Sequence, residues 1–371
     1  MNTRSVAPPH PLPPTDRLAA IDRARQAVLS GGAGAEGAVL QPWLERSWRR
    51  CLALGLEPQQ RVVFDPVPRA AAHHTLEANQ PLLRVAKPVI RSLARAMADT
   101  RYFALLTDAQ GVVIDVNGPV DPQNPHAASI ARVGVDLSER VAGTTAIGAT
   151  LADEQPVWLH RGEHFFNDTG VYSCAGAPVF GPDGRCVGML DLTGIWVPER
   201  PALKHLVTQS ARRIENALTL AHPHHLLLRL NWPGHVLGED GDGLVGVNAD
   251  GQITAANRTA RDMLNLPPGT AGPHCGDVFA VPSGVLFDHA ASGRGATEVP
   301  LWCGLRVQVW CQPHGHTGEK PLAGTAHQVP LRQVESALIR KAVEEAQGNV
   351  AEAARALGIS RATVYRKLER R

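Results

Sequence analysis

The sequence predicts an α+β multidomain protein closed by a small all-α module, and three observations predict it. The chain has 371 residues, enough for two or three domains with a core each. Between residues 41 and 312 the apolar pattern switches repeatedly between period two and helical spacing, as antiparallel sheets with packed helices require. Residues 331–371 keep helical spacing throughout, interrupted only at Gly348 and Gly358.

The totals are those of ordinary globular protein, with 44% hydrophobic and 19% charged residues. A formal charge of +2 leaves the surface nearly neutral, so any basic patch is local. The N-terminus has no apolar core of signal-peptide type, and no run reaches the ~20 apolar residues of a membrane span, so a cytoplasmic protein is expected. Six cysteines, Cys51, Cys174, Cys186, Cys275, Cys303 and Cys311, include no C-x-x-C pair and read as free thiols.

Residues 1–35 form a Pro-rich lead whose tip is expected to be mobile, with a helix near Arg17–Leu29. Residues 36–228 then read as a helical lead-in and a sensor domain. Pro42 suits a first helical turn, Trp43, Leu44, Trp48, Cys51 and Leu52 share a face, and Gly55 stops the helix. Asn79–Thr100 is helical, with Asn79 as its N-cap. FALLTDAQGVVIDV gives two strands around a turn at Ala109–Gly111. A helical GTTAIGATLADEQ, the strands PVWLH, VYSCAGAPVF and RCVGMLDLTG, and a long helix from Arg200 to about Leu228 complete the unit. The expected architecture is an antiparallel sheet with helices on one side.

GTTAIGATLADEQPVWLHRGEHFF, CAGAPVFGPDGRCVGMLDLTG and SWRRC resemble the GAF-type sensor of bacterial acetoin- and glycerol-metabolism activators. A GAF-like antiparallel-sheet sensor implies a small-molecule effector held between sheet and helices, where a few polar groups orient it. Thr144, Thr145, His164, Phe165, Cys174 and Asp191 are the candidate contacts by position. Thr144 equally suits a helix cap and Cys174 core filling. Few aromatics, and no heme or flavin pattern, favour a small polar metabolite and no cofactor. Residues 229–312 resemble a PAS-like domain: DGLVGVNADGQITAANRTARDMLNL reads as strand, turn, strand and helix, and VPLWCGLRVQVWCQP as alternating strands.

Residues 313–329 read as a linker rich in Gly, His and Thr. Full-length activators of this type place an ATPase here, with a G-x-x-x-x-G-K-[ST] phosphate loop. Gly315–Pro321 has the wrong spacing, and the gap is too short for a domain of about 50 residues or more. The expectation is a regulator without its own ATPase, acting by occupancy with RNA polymerase or a full-length activator. Cys303, Cys311, His314 and His316 lack zinc-finger spacing, so no metal is expected. The run His222, His224 and His225 reads as a solvated surface.

In residues 330–371, Val334, Leu338, Ile339 and Val343 mark one amphipathic helix ended by Gly348. Asn349 caps a second, with Val350, Ala353, Ala354 and Leu357 inward; Gly358 turns the chain and Ser360 caps a third. Two short helices around such a turn are a helix-turn-helix. The third helix turns Val364 and Leu368 inward and Arg361, Thr363, Tyr365, Arg366 and Lys367 outward, with Arg370 and Arg371 extending the positive charge. GNVAEAARALGISRATVYRKL resembles the Fis-type helix-turn-helix of bacterial enhancer-binding activators. The resemblance implies that Arg361, Thr363 and Arg366 face bases or nearby phosphates of double-stranded DNA. It also implies that Asn349 and Lys367 hold the backbone, and that Arg332–Ala346 pairs two copies as a homodimer. Two rival functions share these features. A GAF-fold thiol reductase would need a reactive Cys174 beside a resolving Cys186. A Fis-like DNA-bending protein would ignore small molecules.

Overall fold

The computed structural model describes residues 14–29, 41–269 and 272–313, together with Asn349, Val350 and Ala354. The chain divides into two compact units, residues 1–316 and 317–371. The larger unit contains two five-stranded antiparallel sheets.

Its first part opens with helices α1 (Pro14–Leu29), α2 (Pro42–Ala53), α3 (Arg69–Ala78) and α4 (Gln80–Ala96). The expected helix stop after α2 is present, with Gly55 at φ +77°. Helix α3 is not evident from periodicity: it buries none of its residues, so it carries no apolar stripe. Asn79 does not cap α4 with its side chain, which instead donates to the Thr75 carbonyl at 2.9 Å and closes α3. Strands β1 (Tyr102–Asp108) and β2 (Val113–Asn117) follow, then α5 (Pro125–Ile130), α6 (Glu139–Ala142) and α7 (Ala146–Asp153). Strands β3 (Val157–His160), β4 (Tyr172–Phe180) and β5 (Cys186–Ile195) complete the sheet, ordered β2-β1-β5-β4-β3.

Helices cover both faces of this sheet rather than the single face expected. The reason lies in the central strands: Tyr102–Thr107 and all of β4 are buried without alternation, so neither face can meet water. Phe103, Leu105, Cys174 and Met189 pack toward α1, α2 and α7. Ala104, Leu106, Ala175, Ala177, Leu190 and Leu192 pack toward α4 and the long helix α8 (Leu203–Ala221).

That last helix is shorter than expected. It ends at Ala221, before Pro223, and the expected helical residues Leu226–Leu228 belong to strand β6 (Leu226–Asn231). A proline there lacks an amide to continue the helix. β6 is the middle strand of the second sheet, ordered β8-β7-β6-β10-β9, with β7 (Gly243–Val247), β8 (Ile253–Ala256), β9 (Thr297–Pro300) and β10 (Arg306–Pro313). Helices α9 (Arg258–Leu264), α10 (Cys275–Val278) and α11 (Ser283–Ala291) close its core around Leu228, Val245, Phe279, Leu286 and Val309. The strand–turn–strand–helix reading of residues 242–266 holds as β7, β8 and α9.

In the second unit Val350 is helical immediately after Asn349, and Ala354 is buried, as the inward face of that helix requires. Ser360, Arg361, Thr363, Tyr365, Arg366 and Lys367 lie outside the described residues, as do Arg332–Ala346 and the stretch 314–329.

Candidate functional site

A small cavity, with about 30 Å³ open to the centre of a water-sized sphere, lies between the first sheet and the helices on its α7 side. Its floor is one face of three adjacent strands. Leu105 (β1), Cys174 (β4), and Asp191 and Thr193 (β5) are brought side by side by the pairings Leu105↔Asp191 and Cys174↔Thr193. Gly176 stands opposite Asp191, and a Cβ there would press on the Thr150 hydroxyl and the Ala146 carbonyl. The roof is Ile130, Leu137, Ala142, Thr145 and Ile147, with His164 and Tyr172 at the side.

Thr145, His164, Cys174 and Asp191 therefore line one cavity, whereas Thr144 and Phe165 do not. Thr145 spends its hydroxyl as the N-cap of α7, accepting from the Gly148 amide at 3.1 Å. Thr144 is turned away and fully buried. Its hydroxyl bonds Ser47 at 2.8 Å and lies 3.4 Å from the Cys51 sulfur. Phe165 packs edge-on against Phe166 in the core. Position in a motif does not reveal which of two adjacent threonines faces inward.

Two of the lining residues carry a buried polar atom with no protein partner among the described residues: Nε2 of His164 and Oδ1 of Asp191. His164 Nδ1 lies 2.9 Å from the Arg161 carbonyl, an acceptor, so Nδ1 carries the proton and Nε2 is a bare acceptor. Burial holds this imidazole neutral, its pKa lowered to about 4. Asp191 Oδ2 accepts the Thr193 hydroxyl at 2.5 Å. Burial without a cation raises its carboxyl to about 7, against a smaller opposing effect of that hydroxyl. Cys174 is buried beside Asp191, and both effects push its thiol well above the ordinary value.

The walls are held by the lead-in helices. Arg17 of α1 donates to Glu163 at 2.7 Å and pairs with Glu199, while Arg25 donates to the Phe165 carbonyl, bracketing His164. On α2, Trp48 Nε1 donates to the Glu163 carbonyl at 2.9 Å. Arg50 holds Glu139 through two bonds of 2.7 and 2.8 Å, and Asp153 at 2.9 Å. The residues of the SWRRC motif thus fix α6, α7 and the His164 segment; they contribute no side chain to the cavity lining.

Strands β4 and β5 leave the cavity and meet in the turn Gly181–Gly184, which grips the second sheet. The Pro182 carbonyl accepts from the Ala256 amide at 2.9 Å and from Arg261 Nη2 at 2.8 Å, and Arg258 lies over the Phe180 ring. Asn257 ties the same region to α8, donating to Asn216 Oδ1 at 2.7 Å. Sequence reading missed this joint, whose signal is only an ordinary turn, GPDG.

All six cysteines are free. Cys174 pairs with Thr193 and Cys186 with Phe180, so the two thiols sit six positions apart along β4. At a rise of about 3.4 Å per residue they are beyond disulfide reach. Among the described residues no cluster of His, Cys, Asp or Glu forms a metal site. No helix among them is long and apolar enough to cross a membrane.

Fold and cavity define a sensor module on a chain that continues into a helix-turn-helix. Residues 14–216, over half of the chain, match the family model of the MimR N-terminal domain, and the chain belongs to that family. Residues 330–370 match the model of bacterial regulatory proteins of the Fis family. The acetoin catabolism regulatory protein of Cupriavidus necator is 33% identical over 60% of this chain and 34% of its own length. The propane 2-monooxygenase operon transcriptional activator MimR of Mycolicibacterium goodii is 29% identical over 80% of this chain and 48% of its own length. The chain therefore spans about a third to a half of these relatives. The crystal structure of the E. coli DhaR(N)–DhaL complex aligns with 74% of this chain and 100% of its own, at 16% identity and a TM-score of 0.45.

Proposed function

We propose that the chain is a cytoplasmic, ligand-responsive transcription regulator that binds double-stranded DNA as a homodimer and catalyses no reaction. The Fis-family match over residues 330–370 carries this reading. The names of the relatives, a regulator of acetoin catabolism and an operon activator, support it. Arg361, Thr363 and Arg366 face bases or nearby phosphates, and Asn349 and Lys367 hold the backbone, on a reading helix capped by Ser360 whose outward side also carries Tyr365.

The effector is a small molecule held in the cavity, with His164, Asp191, Cys174 and Thr145 as its polar surroundings. An occupant presses on β4 and β5, whose connecting turn holds the second domain. The ligand can shift the regulator only through a difference in affinity between two arrangements of that joint. With only residues 314–329 between the last strand and the Fis-type segment, the regulator works by occupancy, alongside RNA polymerase or a full-length activator, without remodelling driven by ATP. A thiol reductase is disfavoured, because burial keeps Cys174 protonated and no second thiol is within reach.

Sequencing of DNA recovered with the purified protein tests the proposal. The expected result is enrichment of two-fold sites by roughly 10³ or more over bulk DNA. Uniform recovery, indifferent to small molecules, would favour a bending protein, and no recovery at low salt would end the DNA-binding reading.

A further inference from the structure

Helices α4 and α8 pack side by side over one face of the first sheet, burying Leu82, Ala86, Ile90, Leu93, Val207 and Ile214 in a common core. Away from that core, Arg84, Lys87, Arg91 and Arg95 of α4 and Lys204 and Arg212 of α8 are all exposed. Helix α4 contains no acidic residue, and the single one in α8, Glu215, is buried. None of these six cations forms an ion pair among the described residues, whereas the neighbouring Arg213 pairs with Asp240. Half-buried Asp115 of β2 feels Lys87 and Arg91, and Glu215 feels Arg212, but only beyond ion-pair distance. The four cations of α4 recur at spacings of three, four and four residues. They therefore form one row, about 16 Å long at 1.5 Å per residue, and like charges so spaced repel within the helix until a counter-charge meets them.

We infer that this α4–α8 layer is a second contact with duplex DNA, made to the phosphate backbone and independent of sequence. The inference extends the DNA-binding reading beyond the Fis-type segment. Lysine and arginine bind the phosphate array by releasing its counterions, and charge alone suffices for that. The layer offers little else: the exposed large apolar side chains, Trp196, Trp232 and Trp302 among them, all lie outside α4 and α8. A protein partner would need such side chains as a desolvated centre. A second copy of this chain, across a two-fold axis, would set these cations against their own equivalents. Three of the four side chains in the α4 row are arginines, whose planar fork matches phosphate oxygens. Phosphate contacts carry no sequence information, so the layer adds affinity on any duplex and leaves discrimination to the reading helix.

Fluorescence anisotropy of the full chain on a random-sequence duplex, across a salt series, tests this. The variant R84Q/K87Q/R91Q/R95Q should bind more weakly, with the slope of log affinity against log salt reduced by about 2–4 per protomer, at about 0.9 per phosphate. All four side chains are exposed and glutamine is nearly as good a helix former as arginine, so the substitutions spare the core. The charge-retaining variant R84K/R91K/R95K should keep the parent slope; a loss in both variants would mean an effect through the fold and overturn the inference. Preference for the enriched two-fold site over random duplex should survive in the glutamine variant. Arg361→Ala should show the reverse, losing preference while keeping the share of the slope that the row supplies. Absent preference in the parent, with the row-dependent slope intact, tells against the reading helix alone. An unchanged slope in the glutamine variant overturns the layer alone, and no DNA binding by the parent at low salt ends both. Phosphatidylserine vesicles that bind the parent and not the glutamine variant, with the DNA slope unchanged, would give the face to a membrane surface instead.

Discussion

Asp191 sits in the central strand β5 with its carboxylate sealed from water and no cation beside it. Burial raises its carboxyl from the ordinary 3.8 to about 7, so the folded protein holds the proton more tightly than the unfolded chain. Its contribution to stability is therefore complete below about pH 4 and is lost as the pH rises toward 7. His160 and His164 act in the opposite sense: with both lowered to about 4, their contribution is present above 6.5 and lost as the pH falls through 4. Comparison with a variant cancels the histidines. Asp191→Asn should gain stability relative to the parent between pH 4 and 7, by on the order of 3–4 kcal/mol across the window. Urea melts at successive pH values measure this, and parallel profiles would refute it. Candidate residues were only partly legible in sequence. Thr144 and Thr145 are chemically identical neighbours, and the hydroxyl of Ser47, 97 positions away, decides which one is drawn out of the cavity.

Among the elements, the β1–β5 pairing positions the cavity floor, and it depends on one residue without a side chain. Gly188 pairs with Asp108, and a Cβ there would collide with the Thr107 carbonyl oxygen, which belongs to the backbone and cannot rotate away. Gly188→Ala should cost roughly 2–4 kcal/mol, read as a lowered denaturant midpoint with unchanged slope. At the joint between the sheets, Asn257 Oδ1 accepts from the Ala260 and Leu244 amides at 2.9 Å each. Its Nδ2 donates to Asn216 and to the Asp242 carbonyl. Asn257→Ala removes the cap of α9 and strands buried partners, so a loss of about 2–3 kcal/mol is expected. In hydrogen exchange, α9 and the turn Gly181–Gly184 should lose protection together; protection lost in α9 alone would deny that they are coupled. Strong periodicity made α2, α4, β7 and β8 readable from sequence. Helix α3 has no buried stripe and was not, and β6 was hidden by a run of leucines that suits helix and strand alike.

At the scale of the molecule, the large unit is close to neutral in pattern while the C-terminal segment concentrates Arg361, Arg366, Lys367, Arg370 and Arg371 against Glu369. DNA affinity should therefore depend steeply on salt through that segment. Arg366→Ala is expected to weaken binding on all sequences and to reduce the slope of log affinity against log salt by about one. Arg361→Ala should instead relax discrimination at one base pair by roughly 1–3 kcal/mol. Fluorescence anisotropy across a salt series separates the two, and an unchanged slope for Arg366→Ala would move that residue off the phosphates.

The sequence by itself determined the α+β class, most of the elements and the Fis-type ending, because periodicity, caps and turn glycines are local and survive without the fold. Tertiary structure alone decided that helices cover both faces of the first sheet and that α8 gives way to β6. It also decided that His164 and Asp191, 27 positions apart, line one cavity, each with a buried polar atom that no described residue satisfies. Burial and hydrogen-bond satisfaction are properties of the assembled neighbourhood, and no window of sequence contains them.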